Sequence, residues 1–292
     1  VSIKKNEEKK LPIKKLSKKV ESKQYLPLLV GSDHQLYTGN CLKVLKQIPD
    51  NTIKLVITDP PYNINLDYNK YKDNKTWKKY YFELGVMIKE IERILTPDGS
   101  FYLINYPELN ARTIPFFDET SLTYRSWLTW HYPTNIGHSK RNYTRSQRSI
   151  LFYTKSKKKY TFNRNQILQP YKNPNDKRVR QLIKKGSTGR TPYDTLTISD
   201  LFETMIVNTP DVLNINLLKN VSKDRSDSHP CQLPLELIRN FIKVSSNSGD
   251  TILDCYAGTF TTSFAAKELG RKSIGIEIDP KYVKIGYKRL TK

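Results

Sequence analysis

The chain has 292 residues and a formal charge of +22, from 50 Lys+Arg against 28 Asp+Glu. That length holds one large α/β domain with an insertion, or two domains. The positive field favours a polyanionic partner, nucleic acid first, although a chain rich in Lys, Asn and Ile also arises from an AT-rich genome whatever its function. The 19 tyrosines interleaved with lysine and arginine add stacking platforms. No apolar run approaches the ~18 residues of a membrane span, and no apolar core follows the basic N-terminus as in a signal peptide. Cys41, Cys231 and Cys255 are too scattered for a disulfide framework, which points to a reducing cytoplasm. The four histidines show no zinc-ligand spacing, so no metal is implied.

Residues 1–24 carry nine lysines and three glutamates and read as a mobile basic arm. Contact with a nucleic-acid backbone and a solvated tail without a specific role both stay open. Order is expected from Tyr25-Leu26-Pro27. Gln35-Leu36-Tyr37 reads as a short strand, and Gly39-Asn40-Cys41 follows it. Leu42 to Ile48 has helical spacing with Leu42, Leu45 and Ile48 on one face. Ile53 to Thr58 is rich in β-branched residues and reads as a buried parallel strand. The three segments together predict a βαβ unit with right-handed crossover.

The strand runs into Asp59-Pro60-Pro61-Tyr62, at the end where open α/β sheets bind ligands. Two prolines fix φ and remove donors. The expected product is a rigid hook bearing a carboxylate, a bare carbonyl at Pro60 and an aromatic ring. Such a hook suits an exocyclic amino group of a nucleobase. Asp59 and the Pro60 carbonyl each accept one N–H, and Tyr62 stacks on the base. A plain turn with Tyr62 as a lid on the core is the bland alternative.

Further on, Asn65 to Asn74 reads as a mobile loop. Trp77 to Leu95 predicts a long helix with Tyr81, Leu84, Met87 or Ile88, Ile91 and Leu95 buried. Thr96 to Gly99 predicts a stop and turn, and Ser100 to Ile104 a strand. Ser126–Trp130 and Ser149–Tyr153 read as a strand pair. The connection between them carries Lys140, Arg141, Arg145 and Arg148, which fit a phosphate-contacting loop. Between 155 and 228 apolar periodicity weakens. Lys184, Lys185 and Arg190 flank a glycine-broken turn without the Walker lysine-serine order, so a nucleotide P-loop is rejected. The segment reads as a recognition region inserted into a catalytic fold.

Order returns after the rigid turn His229-Pro230-Cys231-Gln232-Leu233-Pro234. A helix is expected from Leu235 to Ser245, strands at Thr251–Asp254 and Lys272–Glu277, and helices from Thr261 and Pro280. Strand, glycine-containing turn and helix N-terminus direct backbone amides at a ligand. A second strand ends in Glu277, 19 residues after Gly258, where an acid meets ribose hydroxyls.

These pieces resemble a known family. Asp59-Pro60-Pro61-Tyr62-Asn63 is similar to the catalytic motif of DNA amino-methyltransferases. His229-Pro230-Cys231-Gln232-Leu233-Pro234 is similar to their His-Pro-Thr-Gln-Lys-Pro segment. Asp254 to Thr262 looks like their S-adenosylmethionine loop, Asp-Pro-Phe-x-Gly-Ser-Gly-Thr-Thr, and Gly275 to Asp279 like their ribose-binding strand end. Catalytic motif before cofactor motif is the permuted β-group order of bacterial restriction–modification methylases. The resemblance covers about 33–155 and 229–290.

It implies a Rossmann-like, circularly permuted α/β methyltransferase sheet. The division is a basic arm at 1–24, a catalytic half at 25–155, a target-recognition region at 156–228 and a cofactor half at 229–292. It implies a bacterial, cytoplasmic, nucleoid-associated enzyme that binds S-adenosylmethionine and flips adenine out of double-stranded DNA for N6 methylation. A second copy of the chain and a cognate nuclease are possible companions. The hook Asp59, Pro60, Pro61 and Tyr62 is then catalytic. Cofactor contacts fall on Asn40, Cys41, Asp59, His229, Gln232, Asp254, Cys255, Tyr256, Ala257, Gly258, Thr259, Thr261 and Glu277. The target base meets Tyr62, Asn63 and one of Trp130 or Tyr132, with core packing as the alternative for Trp130. Lys140, Arg141, Arg145, Arg148, Lys184, Lys185 and Arg190 face the DNA backbone. Four departures stand out: Asn40, Leu233, Cys255, and Phe260 in place of the second loop glycine. The Phe260 ring either narrows the cofactor pocket or packs behind it. Cytosine-N4 methylation, RNA or protein-glutamine methylation, and a silent DNA-binding relative are the competing readings.

Overall fold

The computed structural model describes residues 24–65, 67–68, 71–132, 140–196 and 233–292. In chain order the elements are β1 (Leu28–Val30), β2 (His34–Thr38), α1 (Cys41–Leu45), β3 (Ile53–Thr58), β4 (Asp67–Tyr68), β5 (Tyr71–Lys72), α2 (Trp77–Ile94) and β6 (Leu95–Asn105). They continue as α3 (Pro107–Asp118), β7 (Thr123–His131), β8 (Gln147–Thr154), α4 (Lys177–Lys184), β9 (Thr195–Leu196), α5 (Leu235–Ser245), β10 (Thr251–Asp254), α6 (Thr261–Glu268), β11 (Lys272–Glu277) and α7 (Pro280–Thr291).

One sheet has the order β1-β2-β11-β10-β3-β6-β8-β7-β9. From β2 to β6 neighbouring strands run parallel, while β1, β6–β8 and β8–β7 pair antiparallel. The expected β2–α1–β3 unit is parallel, but β11 and β10 from the C-terminal segment lie between its strands. That interleaving brings the ends of β10 and β11 beside the end of β3.

Strand alternation divides the core. Val56, Phe101, Leu103, Leu151, Tyr153 and Leu253 face α1, α2 and α3. Leu55, Ile57, Tyr102, Ile104, Ile150, Phe152 and Ile252 face α5 and α6. Tyr102 lies between the rings of Phe152 and Phe241, each at 4.4 Å, and its hydroxyl meets Ser245 Oγ at 2.8 Å.

The helix stripes differ in detail from expectation. α1 buries Cys41, Val44 and Leu45, and Leu42 turns partly outward. α2 is capped by Thr76, whose hydroxyl accepts from Lys79 N, and buries Tyr80, Leu84, Met87, Ile88, Ile91 and Ile94. Each fully buried aliphatic side chain of that stripe contributes about 1.5–3 kcal/mol relative to exposure. Tyr81 is only partly buried, against Phe116 and Trp77.

The turn expected at Thr96–Gly99 is a bulge within β6. Register jumps from Ile53/Leu95 to Leu55/Ser100, and Lys54 ties down the excursion through Asp98. The loop expected at 65–74 contains the β4–β5 pair. α3 starts with Pro107 at its first turn and tolerates Pro115 inside. The segment 155–196 is more ordered than its composition suggests, since it holds α4 and β9.

Candidate active site

β3 ends at Thr58 and the chain turns into the hook at the floor of a cleft of about 1020 Å³, a volume that includes space open to solvent. Asp59 to Tyr62, Gly39 to Leu42, Asp254 to Thr259, and Ile276 to Ile278 line it. Tyr62 donates its hydroxyl proton to Asp59 Oδ2 at 2.9 Å. Asp59 Oδ1 is shielded from solvent and has no hydrogen-bond partner. Burial pushes the Asp59 carboxyl up to about 7; Arg148 and the Tyr62 hydrogen bond oppose that rise, and Asp254 adds to it.

Asn63 does not face the cleft. It has φ 57° and clamps the next loop: its Oδ1 accepts from Lys75 N at 2.7 Å, and its Nδ2 donates to Lys75 O at 2.8 Å. Asp73 accepts from Asn63 N at 2.7 Å and from Ile64 N at 3.0 Å. Asn63, expected at the base, here supports the hook, with each end of its amide engaged by the Lys75 backbone.

β10 delivers Asp254, which is 4% exposed. Its Oδ1 accepts from Thr58 Oγ1 at 3.2 Å and Tyr256 N at 3.1 Å, and its Oδ2 from Thr262 Oγ1 at 2.8 Å. Burial raises it to about 6 against these bonds. Asp254 thus shapes the loop that follows. Gly258, at φ 49°, donates its N–H to Glu277 Oε2 at 2.9 Å, and Asp279 N donates to Glu277 Oε1 at 2.8 Å. Glu277 is raised to about 7, chiefly by burial. Each of its oxygens keeps a lone pair for a hydroxyl donor in the cleft. Gly39 N reaches Glu277 O at 2.8 Å and Ala257 N reaches Ile276 O at 2.9 Å, so three loops are laced into one wall. Cys41 and Cys255 are buried thiols in that wall, and burial pushes both up, Cys41 to about 11.

Phe260 packs behind the loop. It is fully buried with Leu36, Ala257, Val283 and Leu290. Its φ of 61° lies in the left-handed region, unfavourable for a bulky residue. The ring occupies room left by Gly275 and Gly286, where a Cβ would lie 2.5 and 2.3 Å away. It does not line the cleft.

The other expected contacts divide. Trp130 is a core residue beside Leu55 and Ile57, and Tyr132 is fully buried with its hydroxyl on Gln147 O at 3.0 Å. Neither is among the residues that line the cleft. Lys140, Arg141, Lys184 and Lys185 are exposed. Arg145 is exposed, pairs with Glu108 and lies 3.8 Å from the Tyr106 ring centre. Arg190 is partly buried, 4.3 Å over the Tyr193 ring. Arg148 is not a loop cation: it sits in β8, 6% exposed, because it alternates in phase with buried Ile150 and Phe152. His229 and Gln232 lie outside the described residues. Sequence reasoning missed Leu42, Lys75, Glu83, Thr262 and Tyr282 in the lining; the Lys75–Glu83 ion pair bridges loop and helix and leaves no local signal.

A family model described as DNA methylase, covering N6 and N4 enzymes, matches residues 53–288. The chain belongs to that family. This methylase is 34% identical over 257 residues to the DNA adenine methyltransferase YhdJ of Escherichia coli K12, covering 86% of this chain and 81% of the relative. It is 31% identical over 262 residues to the Type II methyltransferase M.HpaI of Haemophilus parainfluenzae, covering 88% of this chain and 74% of the relative. Its fold matches a solved PvuII DNA methyltransferase, described as cytosine-N4-specific, with TM-score 0.63 and 21% identity over 88% of this chain and 86% of that one. The fold is that of S-adenosylmethionine-dependent methyltransferases, as expected. No helix among the described residues is long and apolar enough to cross a membrane.

The methylase depends on S-adenosylmethionine, and the cleft fits it. Glu277 offers acceptors for ribose hydroxyls, and loop 255–259 lines the space beside them. Asp59, which also lines the cleft, keeps Oδ1 as an unmatched acceptor. Phe260, the residue that supported a silent relative, leaves the cleft open.

Proposed function

We propose that this methylase modifies the N6 amino group of adenine in double-stranded DNA, as the modification enzyme of a restriction–modification system. The observation that carries the reading is Asp59: a carboxylate at the head of the hook, lining the cleft, with one oxygen held by Tyr62 and the other without a hydrogen-bond partner. An acidic first residue in this motif favours adenine, and the similarity to an adenine methyltransferase at 34% identity agrees with it.

The bound cofactor supplies an electrophilic methyl group. The protein's part is to present the amine. Asp59 Oδ1 and the Pro60 carbonyl accept its two N–H groups and draw the nitrogen lone pair out of conjugation. Asp59 also stabilises the positive charge that develops on the nitrogen as the new bond forms. Holding donor and acceptor in line removes much of the entropic barrier. Tyr62 forms the wall behind the base, with Tyr106 at its back at 4.5 Å.

Duplex contacts fall on exposed cations: Lys140, Arg141 and Arg145 before β8, and Lys177, Arg178, Arg180 and Lys184 of α4 with Lys185 just after it, in the recognition region 156–228. A nuclease reading the same site, and a second copy of the chain, are the partners this reading expects in the bacterial cytoplasm.

Nucleoside analysis of mixed-sequence duplex DNA, after incubation with protein and S-adenosylmethionine, tests the assignment. N6-methyladenine supports it. N4-methylcytosine, the base that the cytosine-N4-specific PvuII enzyme makes, would replace adenine and keep the hook chemistry. No methylated base refutes it.

A further inference from the structure

Arg148 is the cation that the surface reading misplaces. Its guanidinium is enclosed by tyrosine rings, 4.1 Å from the centre of Tyr106, 5.0 Å from Tyr62 and 5.1 Å from Tyr132. No carboxylate pairs with it directly among the described residues. A buried cation without an ion pair carries a large desolvation penalty. Cation–π contacts offset part of it. The remaining compensation runs through two hydroxyls. Arg148 Nε donates to Tyr62 OH at 3.2 Å, and Nη1 donates to Tyr132 OH.

We infer that Arg148 is a positioning residue for methyl transfer, acting through the Tyr62 hydroxyl to hold Asp59 as an ionised acceptor with Oδ1 bare. The inference rests on the reading of Asp59 given above.

The polarity of the chain follows from the chemistry of its members. Arginine only donates. Tyr62 OH therefore accepts from Nε and must send its single proton onward, which it does, to Asp59 Oδ2 at 2.9 Å. Tyr132 behaves alike: it accepts from Nη1 and donates to Gln147 O at 3.0 Å. A protonated Asp59 would place an O–H where the amine must donate, and the pocket would lose an acceptor. A neutral residue at 148 permits that reversal, because the positive charge that opposes protonation of Asp59 is then gone.

Other charges face Asp59 as well. Asp254 on β10 disfavours its charge. Lys75 and Glu83 at the cleft wall are paired with each other, and Glu277 is held by backbone amides. Arg148 is thus the principal positive charge opposing burial of the Asp59 carboxylate.

The test is the pH dependence of single-turnover methyl transfer in wild type, Arg148→Gln, Arg148→Lys and Tyr62→Phe. Calorimetric titration with S-adenosylmethionine shows that each variant is folded. Arg148→Gln should move the acid limb upward by about one pH unit or more. Its rate should fall by about 10-fold at pH 6.5 and recover to within a few-fold of wild type at pH 9. Tyr62→Phe should shift in the same direction, and Arg148→Lys should shift less than Arg148→Gln. Duplex affinity and its salt dependence should stay unchanged in Arg148→Gln. An unshifted limb in Tyr62→Phe or Arg148→Gln overturns the inference. So does weaker, less salt-dependent duplex binding, which would make Arg148 a phosphate contact. If Arg148→Gln does not fold, Tyr62→Phe decides alone. A wild-type protein that transfers no methyl group to DNA defeats the functional reading instead.

Discussion

Phe260 and Gly286 meet across the back of the cofactor loop, so closely that a Cβ on Gly286 would lie 2.3 Å from the ring. Gly286 is part of α7, and with Gly275 of β11 it makes the recess in which the ring sits. A residue that departs from the family's loop glycine is thereby accommodated without entering the cleft.

Gly286→Ala should push Phe260 against the loop. Overpacking of this kind destabilises by about 1–3 kcal/mol. S-adenosylmethionine affinity should fall, because the displaced ring moves Ala257 and Gly258. Phe260→Gly relieves left-handed strain of about 1–2 kcal/mol but removes a buried ring worth about 3–5 kcal/mol. It should therefore lower the denaturation midpoint. Urea titration with and without cofactor checks both.

Glu277→Gln should weaken cofactor binding by roughly 10-fold or more, since one charge-assisted acceptor is lost, worth about 1.5–3 kcal/mol. Duplex binding should be spared. Isothermal titration with S-adenosylmethionine separates the two.

The carboxyls of Asp59, Asp254 and Glu277 are all raised by burial, to about 7, 6 and 7. The fold then binds protons that the unfolded chain, with ordinary carboxyls near 4, has released. These groups favour the fold fully at low pH, and their contribution is lost as pH rises through about 7. Asp59→Asn removes one share of that loss. It should raise Tm at pH 8 by about 2–4 °C, roughly 1 kcal/mol, while abolishing methyl transfer. Thermal melts of both proteins at pH 5 and pH 8 test this; an equal Tm difference at the two values would contradict it.

Asn63→Ala should slow methyl transfer without weakening cofactor binding, because it frees the loop at Lys75 while leaving β10 and β11 intact. Comparing transfer rate with cofactor affinity checks that separation.

Much of the fold is legible along the chain. β3, β10 and β11 are short apolar runs ending in an acid or the hook, as strands buried on both faces require. What sequence order does not reveal is the insertion of β10 and β11 between β2 and β3, since strand adjacency is a tertiary property. The cleft wall from Asp254 to Glu277 is readable because glycine and acid stand at set distances. Arg148 is not, because it ends a run of surface cations. Extending the period of Ile150 and Phe152 back by one step is the signal that assigns it to the interior. Asn63 and Trp130 point inward for reasons no local pattern carries: one clamps a loop, and the other joins the core beneath the sheet's end.

The most direct measurement is transfer of a labelled methyl group from S-adenosylmethionine to duplex DNA by wild type and Asp59→Ala, with nucleosides resolved afterwards. The account predicts label in N6-methyladenine for wild type, and loss of transfer in Asp59→Ala with cofactor binding retained. Transfer at the wild-type rate by Asp59→Ala would contradict it, since the bare Asp59 oxygen would then have no part in holding the amine.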